Sequence, residues 1–274
     1  MKKLFNALLL ASMFSAGSAY AGNIALTGHD DDFHGDTNAL AQINQLINFV
    51  RAGSTLPILT FDAGAELTNA LTSLGVSYVN VNPSFTIAAS IFDHQIYSAF
   101  AVASDSTCGG CDNNAIDTAN LIANSEAIKT FFNDGGGILA FAGAANAATY
   151  YGFLPASASG FGDPPSTGYV QTAFGASLGI DAVNGDPTHN FFAEPGTGGV
   201  SSAYGVVERF GTSGPAETIA CASCTISGGT IIGAPGTSVP EPGTVTLFGI
   251  AAAGLIARRR FGLAKPICNI SFDA

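Results

Sequence analysis

The stretch Ile24-Ala25-Leu26-Thr27-Gly28-His29-Asp30-Asp31-Asp32-Phe33-His34-Gly35-Asp36 joins a short apolar run directly to a polar, acidic loop. An uninterrupted apolar run of this length suits a strand buried on both faces. Residues 37–52 follow with Leu40, Ile43, Ile47 and Val50 at helical spacing, and Gly53 ends the pattern. The same alternation continues, predicting strands at 57–61, 77–81, 99–103 and 138–142 and helices at 65–74 and 115–133, the last stopped by Gly135-Gly136-Gly137. Strand-helix alternation implies an α/β fold built on a doubly wound, mostly parallel sheet. Beyond Pro155 the pattern loosens into an irregular Gly/Pro-rich part with strand expectations at 205–210, 218–221 and 230–232.

In a doubly wound sheet the functional loops follow the carboxyl ends of the strands. The loop after the first strand holds four carboxylates and two imidazoles between His29 and Asp36, which repel one another unless a cation or protons compensate. His29, Asp31 and His34 suit a transition metal, and Asp30, Asp32 and Asp36 at even spacing suit Ca²⁺, so a divalent cation, Ca²⁺ or Zn²⁺, is the one cofactor expected. The competing reading is a solvated acidic loop in which Asp36 or Thr37 caps the next helix.

Both ends of the chain read as export signals. Lys2 and Lys3, an apolar run over 4–14 and the small-residue end Ala19-Tyr20-Ala21 make a signal peptide over 1–21. At the other end, Val239-Pro240-Glu241-Pro242 precedes an apolar stretch at 245–257, expected to be a short transmembrane helix, and then Arg258-Arg259-Arg260. The prolines keep the peptide extended, and the arginines favour the cytoplasmic side. This order resembles the PEP-CTERM sorting signal of Gram-negative bacteria. The resemblance implies recognition by an exosortase after secretion, cleavage near Pro240-Glu241-Pro242, and delivery from a transient membrane anchor to the surface or the exopolysaccharide matrix. The tail at 261–274 is unexplained by it. An exported domain over 22–237 remains.

Six of the nine basic residues sit in the terminal segments, which leaves Arg51, Lys129 and Arg209 against 18 acidic residues, a net charge near −15. Nucleic acid is excluded as a partner by that balance. Cations, neutral glycans and other proteins suit it better.

Residues 138–146, Ile-Leu-Ala-Phe-Ala-Gly-Ala-Ala-Asn, resemble the strand and nucleophile elbow of the class I glutamine-amidotransferase-like superfamily, and Thr188-His189-Asn190-Phe191-Phe192 is similar to a His-Pro-hydrophobic segment of its ThuA-like branch. The resemblance implies a flavodoxin/amidotransferase-like fold with His189 near the site. The elbow offers only Ala144 and Ala145, so acyl-enzyme chemistry has no nucleophile. His29-Asp30-Asp31-Asp32 also resembles the His-Pro-Asp-Asp motif of zinc-dependent N-acetylglucosaminyl deacetylases, which implies His29 and Asp32 as zinc ligands and Asp31 as base; the later His-x-x-His pair is missing.

Cys108-Gly-Gly-Cys111 and Cys221-Ala-Ser-Cys224 are expected to form disulfides in an exported protein, with local closure and cross-linking both open and local closure favoured by spacing. A Cys₄ zinc site fits the spacing but not the compartment. A thioredoxin-like role is weakened because the next helix begins near Ala115, too late to act on Cys108. The resulting expectation is a non-catalytic surface or matrix protein that binds a glycan or cation through the 29–36 loop and His189. A metal-dependent hydrolase of matrix sugars and a purely structural acidic protein are the alternatives.

Overall fold

The computed structural model describes residues 21–162, 164–185, 188–227 and 230–232. Of the signal peptide expected over 1–21 only Ala21 is described, and the sorting segment at 238–260 and the tail at 261–274 lie outside the described residues. Among the described residues, no helix is long and apolar enough to cross a membrane.

One mixed sheet of ten strands organises the unit Ala19–Pro235. Its parallel half contains β1 (Ile24–Thr27), β2 (Ile58–Phe61), β3 (Tyr78–Val81), β4 (Ala99–Val102) and β5 (Gly137–Ala140), in the order β3-β2-β4-β5-β1. Strands β1, β2, β4 and β5 are buried along their whole length, which explains why each reads as a solid apolar run.

The expectation of a mostly parallel sheet needs correction, because the sheet is mixed. The loosely patterned region supplies five antiparallel strands to the same sheet: β6 (Gly160–Phe161), β7 (Tyr169–Gln171), β8 (Phe191–Phe192), β9 (Gly205–Phe210) and β10 (Ala216–Cys221). Strand β10 pairs antiparallel with β1 over Ile24↔Cys221 to Thr27↔Thr218, so β1 stands where the two halves meet. Strands as short as β6 and β8 carry too few residues for periodicity to reveal them. A separate hairpin pairs β11 (Thr225–Ser227) with β12 (Thr230–Ile232).

Helices cover both faces. On one, α2 (Thr37–Arg51) and α3 (Glu66–Ser73) bury Ile43, Leu46, Ile47, Val50, Leu67 and Leu71 against the sheet. On the other, α4 (Ala115–Ile122) and α5 (Ser125–Asn133) bury Leu121, Ile128, Phe131 and Phe132. Residues 115–133 therefore form two helices rather than one. Asn124 breaks them: its side chain, not its main chain, takes the Asn120 carbonyl at 2.9 Å, while its N–H turns to Leu121 O.

Candidate functional site

The carboxyl end of β1 is pinned before any polar chemistry begins. Gly28 N donates to Glu217 O at 3.0 Å, and His189 N donates to Gly28 O at 2.8 Å. A Cβ at Gly28 would lie 1.8 Å from Asn190 O, so only glycine lets the 188–190 segment approach this closely. From this fixed point the next two residues diverge: His29 enters the sheet interior, and Asp30, also buried, turns toward His34 and His189.

His29 is fully buried, and Thr188 Oγ1 lies 2.9 Å from its Nδ1. Its Nε2 stands 3.1 Å from Glu217 Oε2 and 3.5 Å from Glu208 Oε1, with both carboxylates fully buried and no hydrogen bond made by Nε2. Strand β10 has an irregular register here, with Ala216 opposite Arg209 but Thr218 opposite Glu208. Glu217 is thus the extra residue of a bulge, which re-aims its side chain into the space occupied by Glu208. Thr218 Oγ1 sits 2.7 Å from Glu217 Oε2 and 2.8 Å from Glu208 Oε1. Thr27 Oγ1, on β1, donates to Glu217 Oε1 at 3.2 Å. Gln42 Nε2 from α2 and Val183 N donate to the two oxygens of Glu208, each at 2.9 Å. Every group of the cluster is held by the surrounding fold.

Burial opposes charge on His29, but the facing Glu217 and Glu208 carboxylates outweigh it and hold its pKa well above the ordinary histidine value. Burial pushes Glu217 up to about 7. Burial also disfavours charge on Glu208, yet His29 holds that carboxyl below its usual value. Two carboxylates shut away from water demand positive charge, which an imidazolium or a divalent cation supplies. Bonds of about 2.0–2.1 Å in a tetrahedral zinc site set donor atoms about 3.3 Å apart. The 3.1 and 3.5 Å separations fit that spacing, and the donor atoms of His29, Glu208 and Glu217 all lie within 4.8 Å of one another.

The Asp30 side chain turns the other way. Its Oδ2 lies 3.2 Å from His189 Nε2, 3.3 Å from His34 Nε2 and 3.6 Å from Cys111 Sγ. Beside this group a cavity of about 480 Å³ is lined by Thr107, Cys108, Ala144, Ala145, Gly162 and His189. Ala144 adopts φ 45°, a left-handed conformation rare for a residue with a side chain, and Thr107 Oγ1 accepts the Ala145 N–H at 3.0 Å.

The residues expected to share one loop site are therefore dispersed. Asp36 is exposed and caps α2 by accepting from Asn38 N and Ala39 N at 2.7 and 3.0 Å. Asp31, Asp32 and His34 form the short helix α1 (Asp31–His34), with Asp31 and Asp32 buried. Asp32 accepts from Ser104 N at 2.8 Å, and burial pushes it up to about 7. His29 and Asp32 thus make separate contacts, unlike a shared zinc ligand pair. Glu208 and Glu217 were not singled out by sequence, although a glutamate inside the apolar run at 205–210 was a signal; Glu217 lay just outside the strand expected at 218–221 and falls inside the observed Ala216–Cys221.

The cysteines pair locally, Cys108 with Cys111 and Cys221 with Cys224, at Cα separations of 5.8 and 6.1 Å. Residues 238–260 match the PEP-CTERM protein-sorting motif. No curated protein and no solved structure matches the chain, so the amidotransferase-like resemblance finds no relative. The motif supports an exported protein that an exosortase processes, anchored transiently in the membrane and then carried to the surface.

Proposed function

We propose that the exported domain is a non-catalytic, cation-stabilised binding module of the cell surface or exopolysaccharide matrix, in which His29, Glu208 and Glu217 hold one zinc-class divalent cation. The observation that carries this reading is His29 Nε2, buried without a hydrogen bond and set at ligand spacing between two buried carboxylates. A nitrogen and two carboxylate oxygens suit zinc better than calcium. The Thr188 hydroxyl orients the imidazole from behind, while Gln42 and Val183 orient Glu208, the outer support that metal ligands require. Thr218 Oγ1, hydrogen-bonded to both carboxylates, steadies them as a further outer support.

A hydrolytic zinc site keeps a position open to water and substrate. His29, Glu208 and Glu217 are all fully buried, which favours a structural ion over the hydrolase alternative. The cleft beside His189 is the place for an external ligand, and its polar rim without a nucleophile suits a small neutral sugar unit. Calorimetric titration of metal-stripped protein with zinc tests the cation reading: one equivalent should bind, and Glu217→Gln should abolish it. Absence of stoichiometric zinc, calcium or manganese binding would end this reading. For sorting, Glu241→Ala should leave the protein in the inner membrane fraction, and unchanged release would argue against exosortase processing.

A further inference from the structure

The two Cys-x-x-Cys pairs share a spacing and differ in their surroundings. Cys221 and Cys224 are both buried, at 0% and 5% exposure, and Cys224 Sγ lies 3.8 Å from the carbonyls of Ala203 and Ala222. Nothing outside the protein reaches those sulfurs. Cys108 is half-buried and lines the 480 Å³ cavity, while Cys111 behind it is 6% exposed.

The geometry points to a further activity: we propose that Cys108–Cys111 is a redox-active disulfide that exchanges with a dithiol, such as a cysteine pair of another exported protein, entering the cleft beside His189. Three independent features support it. First, exposure is asymmetric, so only Cys108 Sγ can be attacked from the cavity. Second, Cys111 N donates to Cys108 Sγ at 3.1 Å, and this bond favours negative charge on Cys108 once it is released. That N–H supplies what α4 cannot, because α4 begins only at Ala115. Third, the Asp30 carboxyl stands 3.6 Å from Cys111 Sγ, so Cys111, once released, is held as the thiol and does not attack back, and the two sulfurs are not equivalent. The intervening residues also fix the geometry. Gly109 has φ 106°, and a Cβ on Gly110 would lie 2.4 Å from the Phe33 ring, so neither position accepts a side chain without rearrangement.

The step balances as follows. A thiolate of the dithiol attacks Cys108 Sγ, the Cys108–Cys111 bond breaks, and Cys111 leaves with the bonding pair and takes up a proton. The second thiol of the same molecule loses its proton and attacks the substrate sulfur of the mixed disulfide, so that Cys108 leaves and is protonated in turn. Two protons pass from the dithiol through solvent to the two cysteines. The dithiol is oxidised by two electrons and the protein disulfide is reduced to two thiols. This activity does not depend on the cation site.

The test uses the full chain, oxidised, in detergent, mixed with one equivalent of a reduced peptide that carries two cysteines, with thiols located by alkylation and peptide mass spectrometry. The isolated, oxidised Cys-Gly-Gly-Cys peptide is the reference. The expected result is single-turnover oxidation of the dithiol at least tenfold faster than by the peptide, with new thiols at Cys108 and Cys111 and none at Cys221 and Cys224. When the Cys111→Ser protein, with its Cys108 thiol free, is instead mixed with the oxidised, disulfide form of the same substrate, a mixed disulfide should be trapped on Cys108. A rate no greater than that of the peptide, or reduction distributed equally over both pairs, would overturn the proposal. So would a reduced protein whose Cys108 takes up a zinc ion with Asp30 and His189 instead of exchanging.

Discussion

His29 and Asp30 are adjacent in the chain, yet one serves a sealed interior cluster and the other a group at the edge of a cleft. The interior cluster draws on both halves of the sheet: His29 follows parallel β1, and Glu208 and Glu217 come from antiparallel β9 and β10. The cleft group draws on loops, with Asp30, His34 and His189 around one carboxylate oxygen and the Cys108–Cys111 pair beside it. The difference is the solvent that reaches the partners. Every member of the interior cluster is fully buried, whereas Asp30, itself 1% exposed, is faced by His34 and His189, whose side chains are 34% and 21% exposed.

Single substitutions can break that contrast. His29→Ala should cost about 3–5 kcal/mol in urea unfolding, because two carboxylates then face each other in the interior. His34→Ala should cost less, about 1–2 kcal/mol, because the imidazole is one-third exposed and His189 still faces the buried Asp30 carboxyl. Equal losses would mean that the two clusters do not differ in kind.

The disulfides extend the same comparison with a smaller expected difference. Closing a four-residue loop is worth about 2 kcal/mol at either pair. Cys221→Ser adds the burial of a hydroxyl, a further 1–3 kcal/mol or about that, while the Cys108→Ser hydroxyl opens on the cavity. Thermal melts of the two variants should therefore separate, with Cys221→Ser lower.

Titration sharpens the contrast further. Burial pushes Asp32 and Glu217 up to about 7, and burial together with the Asp112 carboxyl does the same to Asp62. These groups hold protons more tightly folded than unfolded. The stability they contribute is complete below their ordinary values of 3.8 and 4.5, and it is lost as pH rises through about 7. Metal-stripped protein should melt higher at pH 5 than at pH 8. Saturating zinc, which needs ionised Glu217 and neutral His29, should recover most stability at the higher pH. A zinc effect that is the same at both pH values would separate the cation from this cluster. The smallest effect is expected at the elbow, where Ala144→Gly relieves the left-handed φ and should raise stability by about 0.5 kcal/mol.

The parallel half of the fold was legible because β1, β2, β4 and β5 are buried on both faces and advertise it as apolar runs. The antiparallel half was largely hidden. Its β6 and β8 span two residues each, and the fact that β10 pairs with β1 is a long-range relation without a local sequence mark. The same limit divided the candidate site. His29, Asp30 and His189 stood out as ligand-type residues, but grouping His29 with Glu208 and Glu217 required the β10 bulge, a matter of register. Asp36 was misleading for a plain reason, since a carboxylate placed before a helix serves the helix N–H groups as readily as a cation.

The most direct measurement is an anomalous difference map at the zinc edge from crystals of the protein grown with zinc. The account predicts a peak about 2 Å from His29 Nε2, shared with Glu208 and Glu217, that disappears in Glu217→Gln. An interior without a peak, or a peak held by Asp30 and His189 in the cleft instead, would contradict it.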